Sequence, residues 1–493
     1  MKKLNQLETP FFTKLKEYAE SDTVPLDVPG HKLRNIEDDF LKYIGNNALR
    51  LDSNAPRGLD NLSKPKGVIK EAEALMADAF KATHAHFLVN GTTQGILAMI
   101  MATCRAKEKI ILPRNVHKSV INALILSGAI PIFILPELDE DLGIANQISF
   151  SALEKTILEH PDAKAVFIIN PTYFGVTADL EKIVNLAHEN DMLVLVDEAH
   201  GAHFSFNDKL PLSAMEANAD IASCSLHKTV GSLTQSSILL TKGDRIDQER
   251  LKSTLNMIQT TSPSSLLMAS LDVSRKTIYQ HGQKSFDHLL SMLDKTRENL
   301  NQIPNVKAFA KDYFIDRGYK DYDQTKLIIK VSEMGLTGFE VYQILSDVYH
   351  IQLELAETHL VLAVLSMGTR QEDLDRLTYA LKELSDQHKG KEALEFEIIK
   401  RLPETYIRPR DAYHAPKKLV LLEEAIGEVS AESLMIYPPG IPLVIPGEII
   451  DKQVIEDLNF YEKQGSVILS DTKAGYIKVV DKEEWEKWSE KDI

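Results

Sequence analysis

Cysteine is scarce in this chain, whose 493 residues include two, Cys104 and Cys224. Both lie among apolar or small residues, a context typical of buried thiols and not of a disulfide framework or a zinc site. Long apolar runs are also missing: the run ILAMIMA is far shorter than a bilayer span, and the first 20 residues lack the apolar core of a signal peptide. We therefore expect a cytoplasmic protein with no membrane partner.

Basic residues are outnumbered, with 56 Lys and Arg against 72 Asp and Glu and a net formal charge of −16. This balance argues against a nucleic-acid partner, because phosphate backbones are bound by basic surfaces. The hydrophobic and charged fractions, 44% and 26%, are ordinary for a folded globular protein. The length exceeds what one core usually supports, so several domains are expected.

Short apolar runs alternate with helical patterns between residues 84 and 241. They are HFLV, KIILP, IPIFIL, AVFIIN, LVLVDE, DIASCS and SSILL. This alternation predicts βαβ units and a mostly parallel sheet, in an α/β domain over residues 29–265 that follows an N-terminal segment, 1–28. A long helical pattern and then short strand-like runs predict a smaller α+β domain over 266–388. The polar segment DQHKGK leads into a proline-punctuated C-terminal α+β domain, 389–493.

One lysine and one carboxylate stand out as candidates for covalent catalysis. Asp197 follows the apolar run LVLV, so a buried strand would deliver it to the sheet edge at which open α/β sheets bind ligands. Lys228 lies in SLHKTVGSLTQSS, beside the donors Ser225 and His227. Together they indicate pyridoxal phosphate, with its aldehyde held as a Schiff base by Lys228 and its ring nitrogen paired with Asp197.

A phosphate cradle is predicted at FLVNGTTQGILAMI, where Gly91, Thr92 and Thr93 lie at the start of a helix after a strand. A plain helix cap and the nucleophile elbow of α/β-hydrolases are the alternatives, although threonine replaces the serine of that elbow. The string DEAH also occurs in helicases, but the chain has no G-x-x-x-x-G-K-[ST] loop, which excludes that function.

Three further features have a functional and a structural interpretation each. His200 and His203 have a spacing that is weak for metal binding, so no metal is expected, and His200 instead suits a hydrogen bond to cofactor or substrate. His117, in RNVHKS, is either structural or stacks on the cofactor ring. The segment with Thr260, Thr261 and Ser262 is either a helix cap or a further set of phosphate donors.

Nine strings, in this order and spacing, resemble the Orn/Lys/Arg decarboxylases of the pyridoxal-phosphate fold type shared with aspartate aminotransferase. They are VPGHK, GLDNL, VNGTTQG, RNVHKS, NPTYFGV, DEAHGAH, SLHKTVGSLTQSS, TTSPS and YPPGIPLVIPGE, which together span nearly the whole chain. The resemblance implies a seven-stranded, mostly parallel sheet domain with a smaller α+β domain and a C-terminal domain.

The resemblance also implies residue roles. Lys228 binds the cofactor, Asp197 pairs with its ring nitrogen, His117 stacks on the ring, and His227 or His200 protonates Cα. The phosphate donors implied are Thr92, Thr93, Ser225 and His227. In the family, the counterpart of Thr260, Thr261 and Ser262 reaches the neighbouring subunit's cofactor, which implies an obligate homodimer and raises the donor interpretation above the cap.

The implied reaction is α-decarboxylation of a basic amino acid. VPGHK begins near the amino terminus, so the chain is expected to lack the wing domain of the large family members and to resemble the short biosynthetic arginine decarboxylases, which make agmatine for polyamines. Arg57, in DSNAPRGLDNL, departs from the family pattern and leaves lysine and ornithine open as substrates. The residues are also compatible with an aminotransferase, an α-oxoamine synthase or a non-enzymatic relative.

Overall fold

The computed structural model describes residues 4–388, 402–437, 441–463 and 467–489. It divides into two compact units. The first comprises residues 1–102, 195–289 and 366–368, and the second comprises residues 103–194, 290–365 and 369–493. The domain boundaries expected from the sequence stay predictions, and most of the segment DQHKGK lies outside the described residues.

The α-helices of the described residues range from 4 to 36 residues in length. In chain order they are α1 (Pro10–Glu20), α2 (Asp38–Ile44), α3 (Asn46–Leu51), α4 (Val68–Ala79), α5 (Gly91–Thr103), α6 (Lys118–Ser127), α7 (Phe150–Glu159), α8 (Leu180–Glu189), α9 (Leu226–Thr229), α10 (Gln248–Ile258), α11 (Ser265–Leu300), α12 (Lys311–Ile315), α13 (Gly338–Asp347), α14 (Gln371–Gln387), α15 (Pro409–His414), α16 (Lys452–Lys463) and α17 (Lys482–Ser489). In the part of the chain that is described, none of these helices combines the length and apolar character needed to cross a bilayer.

The strands are mostly short. They are β1 (His84–Leu88), β2 (Lys109–Pro113), β3 (Ile130–Ile134), β4 (Leu138–Asp139), β5 (Ile144–Ala145), β6 (Ala165–Ile169), β7 (Val176–Thr177), β8 (Leu193–Asp197), β9 (Ile221–Cys224), β10 (Ser237–Thr241), β11 (Lys307–Ala308), β12 (Asp321–Tyr322), β13 (Lys326–Lys330), β14 (Leu355–Ala356), β15 (Leu360–Val364), β16 (Lys417–Leu421), β17 (Leu434–Tyr437), β18 (Ile441–Val444), β19 (Val467–Leu469) and β20 (Tyr476–Val480).

A seven-stranded sheet has the order β1-β10-β9-β8-β6-β2-β3. Its seven strands are the seven apolar runs identified in the sequence, so the predicted α/β sheet is confirmed. Strand β10 runs antiparallel to both of its neighbours, whereas β8 with β9, β2 with β6 and β2 with β3 are parallel. The parallel arrangement places the carboxyl ends of β8 and β9 at one edge, which is where ligands bind in this architecture.

The first unit is anchored by a buried ion pair on α11. Arg275 and Asp272 have fully buried side chains with Nη2 and Oδ1 3.1 Å apart. Oδ2 of Asp272 accepts hydrogen bonds from the amides of Phe11 and Phe12, and Nη1 of Arg275 donates to the carbonyl of Gln6. The first turn of α1 therefore has its free amides satisfied by a side chain from another helix, as helix ends require.

The second unit contains a four-stranded antiparallel sheet, in the order β11-β13-β15-β14. Its core includes Phe314 and Tyr322, whose rings stack with centroids 4.2 Å apart. The same unit holds the C-terminal strands, with β16 paired to β20 and β17 between β18 and β19. A separate apolar cluster there includes Val444, Ile450 and Val454.

Candidate functional site

The carboxyl ends of β8 and β9 bring Asp197 beside the strand that leads to Lys228. Asp197 pairs in register with Ser223, and the amide of Glu198 donates to the Ser223 carbonyl at 3.0 Å. The Asp197 side chain is buried, and its Oδ1 accepts a hydrogen bond from the amide of Ala199 at 3.1 Å. The carboxylate is thus held at the strand end where the sequence predicts it.

Lys228 lies on α9, the short helix that follows β9 after Ser225. Its Nζ is 2.9 Å from Nε2 of His200, which lies three residues beyond Asp197 and is buried. The side chain of Lys228 is only partly buried. The structure therefore brings together an amine, an imidazole and a carboxylate-bearing strand end, all within the first unit.

The predicted phosphate cradle is a cluster of hydroxyl groups at the start of α5. Oγ1 of Thr92 makes a short hydrogen bond with Oγ of Ser225 and lies 3.4 Å from Oγ of Ser237. Gly91 adopts a φ of +69°, and its amide donates to the carbonyl of Gln235 at 2.8 Å. Sequence reasoning missed Ser237, although it ends the string SLTQSS. Its position on an antiparallel strand next to β1 is what brings it to Thr92.

The absence of a side chain at Gly95 permits α5 to approach the sheet closely. A Cβ atom built on Gly95 would lie 2.0 Å from Oγ of Ser223, so a side chain cannot be accommodated there. Thr93, the other predicted donor, is on the first turn of the same helix and is partly buried. The helix start is therefore held against β9, next to the loop that carries Lys228.

His227 is held in place by a hydrogen bond from one of its ring nitrogens. Its Nδ1–H donates to the carbonyl of Ser236 at 2.9 Å. Burial lowers the pKa of His227, and the nearby charge of Lys228 lowers it further. With Nδ1 fixed in this way, Nε2 is the ring nitrogen through which His227 can exchange a proton.

Glu198 is a buried carboxyl next to Asp197 that the sequence did not mark as functional. Its Oε1 accepts a hydrogen bond from the amide of Ala214 at 2.7 Å, and the thiol of Cys224 donates to Oε2 at 3.5 Å. Burial raises the pKa of Glu198 to about 8, and the charges of Glu216 and Asp197 act in the same direction. Near neutral pH, Glu198 is therefore mainly protonated.

This protonation gives a testable pH dependence of stability. Because the folded-state pKa of about 8 lies above the ordinary value of 4.5, the folded chain binds the proton more tightly than the unfolded chain. The stability that Glu198 contributes is fully present below about pH 4.5 and is lost as pH rises through about 8. The Glu198→Gln variant has no such titration.

We expect the free energy of unfolding of the wild type, minus that of Glu198→Gln, to fall as pH rises across this window. Urea unfolding of both proteins measures the difference. Glu71→Gln, at an exposed glutamate of the same unit, is the matched control. Parallel pH profiles for the wild type and Glu198→Gln would show that Glu198 is ionised in the folded chain.

The other predicted features are described by their local contacts. Thr260, Thr261 and Ser262 are exposed, and the amide of Ser262 donates to Oγ1 of Thr260 at 3.2 Å. Helix α11 begins after this segment, at Ser265. His117 belongs to the second unit, where it is the N-cap of α6, and its Nδ1 accepts a hydrogen bond from the amide of Ser119 at 3.2 Å. His203, the weak metal candidate, stacks on Phe286.

The residues of the first unit fit pyridoxal phosphate by their chemistry. The group needs a primary amine for covalent attachment, a carboxylate for its ring nitrogen, and hydroxyl or amide donors for its phosphate. Lys228, Asp197 and the hydroxyls of Thr92 and Ser225 supply these three functions. The helix start at Gly91 adds backbone amides at the positive end of the α5 dipole.

Comparison with known proteins identifies the family of this chain. The model "Orn/Lys/Arg decarboxylase, major domain" matches residues 9–373, and "Orn/Lys/Arg decarboxylase, C-terminal domain" matches residues 392–467. An arginine decarboxylase of Bacillus subtilis (strain 168) is 45% identical over 456 residues, covering 92% of this chain and 93% of that protein. An arginine decarboxylase of Halalkalibacterium halodurans is 43% identical over 449 residues, covering 90% of this chain and 91% of that protein.

The fold agrees with that assignment. The crystal structure of the Francisella novicida lysine decarboxylase LdcF superposes with a TM-score of 0.83 at 21% identity, covering 96% of this chain and 81% of that one. The family match favours a decarboxylase over an aminotransferase, an α-oxoamine synthase or a non-enzymatic relative. The chain belongs to the Orn/Lys/Arg decarboxylase family of pyridoxal-phosphate enzymes.

Proposed function

We propose that this chain decarboxylates L-arginine to agmatine and carbon dioxide, as a step in polyamine synthesis. The observation that carries the proposal is the position of Lys228, 2.9 Å from His200 and next to the strand end that holds Asp197. The high identity to arginine decarboxylases over most of the chain supports arginine as the substrate.

The residues of the site have distinct tasks in this reaction. Lys228 would hold the cofactor through its amine, and Thr92 and Ser225 would bind its phosphate. The bound cofactor supplies an acceptor for the electron pair left when carbon dioxide departs. Asp197 stabilises positive charge at the ring nitrogen, because its carboxylate is buried where water does not screen it. His227 and His200 are the candidates that deliver the proton to Cα.

Arginine specificity is tested by comparing substrates. We expect kcat/KM for L-arginine to exceed that for L-lysine and L-ornithine, because a site that binds a guanidinium leaves buried acceptors unpaired with a shorter or smaller cation. The measurement is steady-state release of carbon dioxide and identification of the amine product for all three amino acids. A preference for lysine or ornithine would overturn the substrate assignment while leaving the decarboxylase assignment intact. Formation of a keto acid would contradict both.

We further propose a homodimer in which each subunit contributes phosphate donors to the cofactor site of the other. Thr260, Thr261 and Ser262 are exposed, as donors to a second subunit must be. Two apolar side chains of the same unit are also exposed: Met257, three residues before Thr260, by 67%, and Leu233, in the Lys228 loop, by 50%. A second copy of the chain would cover such apolar surface.

Subunit mixing tests the shared site. We expect Lys228→Ala and a variant with alanine at Thr260, Thr261 and Ser262 to be nearly inactive alone and active when mixed. In a mixed dimer both defects fall in one site, so the other site is whole and about half of the wild-type activity per mixed dimer returns. Exchange of subunits is verified with differently tagged chains. No recovery despite exchange would assign the hydroxyl segment to its own subunit or to a structural role.

A further inference from the structure

Three consecutive residues at the start of β10 contact three parts of the candidate site, all within the first unit. The carbonyl of Gln235 accepts a hydrogen bond from the amide of Gly91 at 2.8 Å. The carbonyl of Ser236 accepts one from Nδ1 of His227 at 2.9 Å. The hydroxyl oxygen of the next residue lies 3.4 Å from that of Thr92. One short segment therefore joins the start of α5 to the helix that carries the lysine of the site.

The backbone of Gln235 has a conformation that its side chain does not favour. Its φ is +82°, in the left-handed region where a Cβ atom crowds the neighbouring carbonyl. Such a conformation persists where the surrounding contacts determine it, and it is most frequent at functional sites. The side-chain amide of Gln235 also donates to Oδ1 of Asn90 at 3.1 Å. Both the backbone and the side chain of Gln235 thus contact the residues that begin α5.

The loop before Gln235 is fixed independently of α5. The amide of Leu233 donates to Oγ of Ser270, on α11, at 3.2 Å. The amide and the hydroxyl of Ser236 both donate to the carbonyl of Leu233, at 3.1 and 2.6 Å, and Ser236 is fully buried. The segment is therefore held on one side by α11 and on the other by β10. A change of φ at Gln235 would turn its carbonyl or that of Ser236 away from its present partner.

We propose that Gln235 is a positioning residue, whose left-handed conformation sets the spacing between the phosphate cradle and the helix of Lys228. It acts through Gly91 on the cradle and through the Ser236 carbonyl on His227. A turn with no further task explains the geometry less well, because glycine adopts a positive φ without steric cost. The inference rests on the proposed function, in which the cofactor is bound by Lys228 and by the start of α5.

The test compares Gln235→Gly with Gln235→Val. Glycine adopts the positive φ freely, so both carbonyls keep their partners and only the contact with Asn90 is lost. Valine, branched at Cβ, strongly disfavours a positive φ. We expect the dissociation constant of pyridoxal phosphate to be about tenfold higher or more for Gln235→Val than for Gln235→Gly, with a lower kcat and a smaller change in KM, as for a displaced active-site group. Titration of each apoenzyme, followed by absorbance, measures the affinity.

A second measurement needs neither cofactor nor turnover. Because a carbonyl only accepts hydrogen bonds, the Ser236 contact requires a proton on Nδ1 of His227. Nitrogen NMR of histidine-labelled apoprotein reports which ring nitrogen carries the proton, and His227→Gln identifies the signal. We expect the Nδ1–H form in the unaltered chain and in Gln235→Gly, and a mixture of both tautomers in Gln235→Val.

Asn218→Val is the matched control. Asn218 is exposed, belongs to the same unit and also has a positive φ, of +61°, but it lies before the amino end of β9. Valine strains the backbone there in the same way, far along the strand from the loop of Lys228. We expect a lower melting temperature, with cofactor affinity and the His227 tautomer unchanged.

Two results would overturn the positioning role: equal cofactor affinity and the same His227 tautomer in Gln235→Val and Gln235→Gly, or the same losses in Asn218→Val. If Gln235→Val does not fold, Gln235→Ala replaces it, since any Cβ atom disfavours the positive φ, and a difference from Gln235→Gly in the same direction is required. Failure of the unaltered chain to bind the cofactor at Lys228 would refute the proposed function, whereas the NMR comparison decides separately whether Gln235 positions His227.

Discussion

Replacing Lys228 by alanine is expected to abolish covalent attachment of the cofactor and to lower arginine decarboxylation by about four orders of magnitude or more, as removal of a covalent catalyst does in other enzymes. The physical reason is that no other lysine is held at the strand end beside Asp197 and His200 in the described part of the chain. Lys284→Ala, at an exposed lysine of the same unit, is the matched control and should retain full activity.

Borohydride trapping locates the attachment point directly. The wild type, treated with pyridoxal phosphate and borohydride and then digested, should yield one labelled peptide that contains Lys228. The Lys228→Ala variant should yield none above background. Recovery of the label on Lys32 or Lys118, the lysines of VPGHK and RNVHKS, would refute the assignment of Lys228.

The sheet was predictable because each of its strands is a sharply bounded apolar run. Strands that are buried on both faces carry little polar patterning, so their ends are marked by the first polar residue, such as Asp197 after LVLV. Parallel neighbouring strands place their carboxyl ends at one edge of the sheet. The strand pattern alone therefore predicts that the loop of Lys228 lies near Asp197. The motif strings added the roles of the residues, which stay predictions.

Contacts between distant segments were not predictable in the same way. Arg114 and Glu448 are separated by 334 residues, and no local periodicity indicates which buried cation meets which carboxylate. The strings RNVHKS and YPPGIPLVIPGE contain these two residues, but their pairing depends on how the C-terminal domain packs on α6. The protonation of Glu198 likewise depends on complete burial, which a single sequence does not reveal.

The role of the segment with Thr260, Thr261 and Ser262, which follows α10, was also not predictable from local sequence. A threonine–serine run before a helix predicts an N-cap by local chemistry alone. In the structure, Thr260 and Ser262 bond to each other and α11 begins only at Ser265. Their partner in the proposed dimer lies on another chain, so neither the sequence pattern nor the contacts of one subunit identify it.

Asp197→Asn is the second substitution with a large expected effect. The amide has nearly the same shape as the carboxylate, and it can still accept the hydrogen bond from the amide of Ala199. It cannot stabilise a positive charge on the ring nitrogen, so the cofactor becomes a weaker electron acceptor. The loss of a few kcal/mol of electrostatic stabilisation corresponds to a fall in kcat of roughly two to three orders of magnitude, at about tenfold per 1.4 kcal/mol.

Steady-state turnover of arginine measures this loss, and absorbance of the bound cofactor confirms that each preparation is loaded. Asp208→Asn, at an exposed aspartate of the same unit, should have wild-type activity.

Because Glu198 is mainly protonated near neutral pH, it cannot replace the missing charge, so we expect little recovery as pH rises toward 8. Partial recovery above about pH 8, where Glu198 ionises, would indicate that the adjacent carboxylate can substitute electrostatically. Near-normal turnover with a full complement of cofactor at neutral pH would instead refute the role of Asp197 at the ring nitrogen.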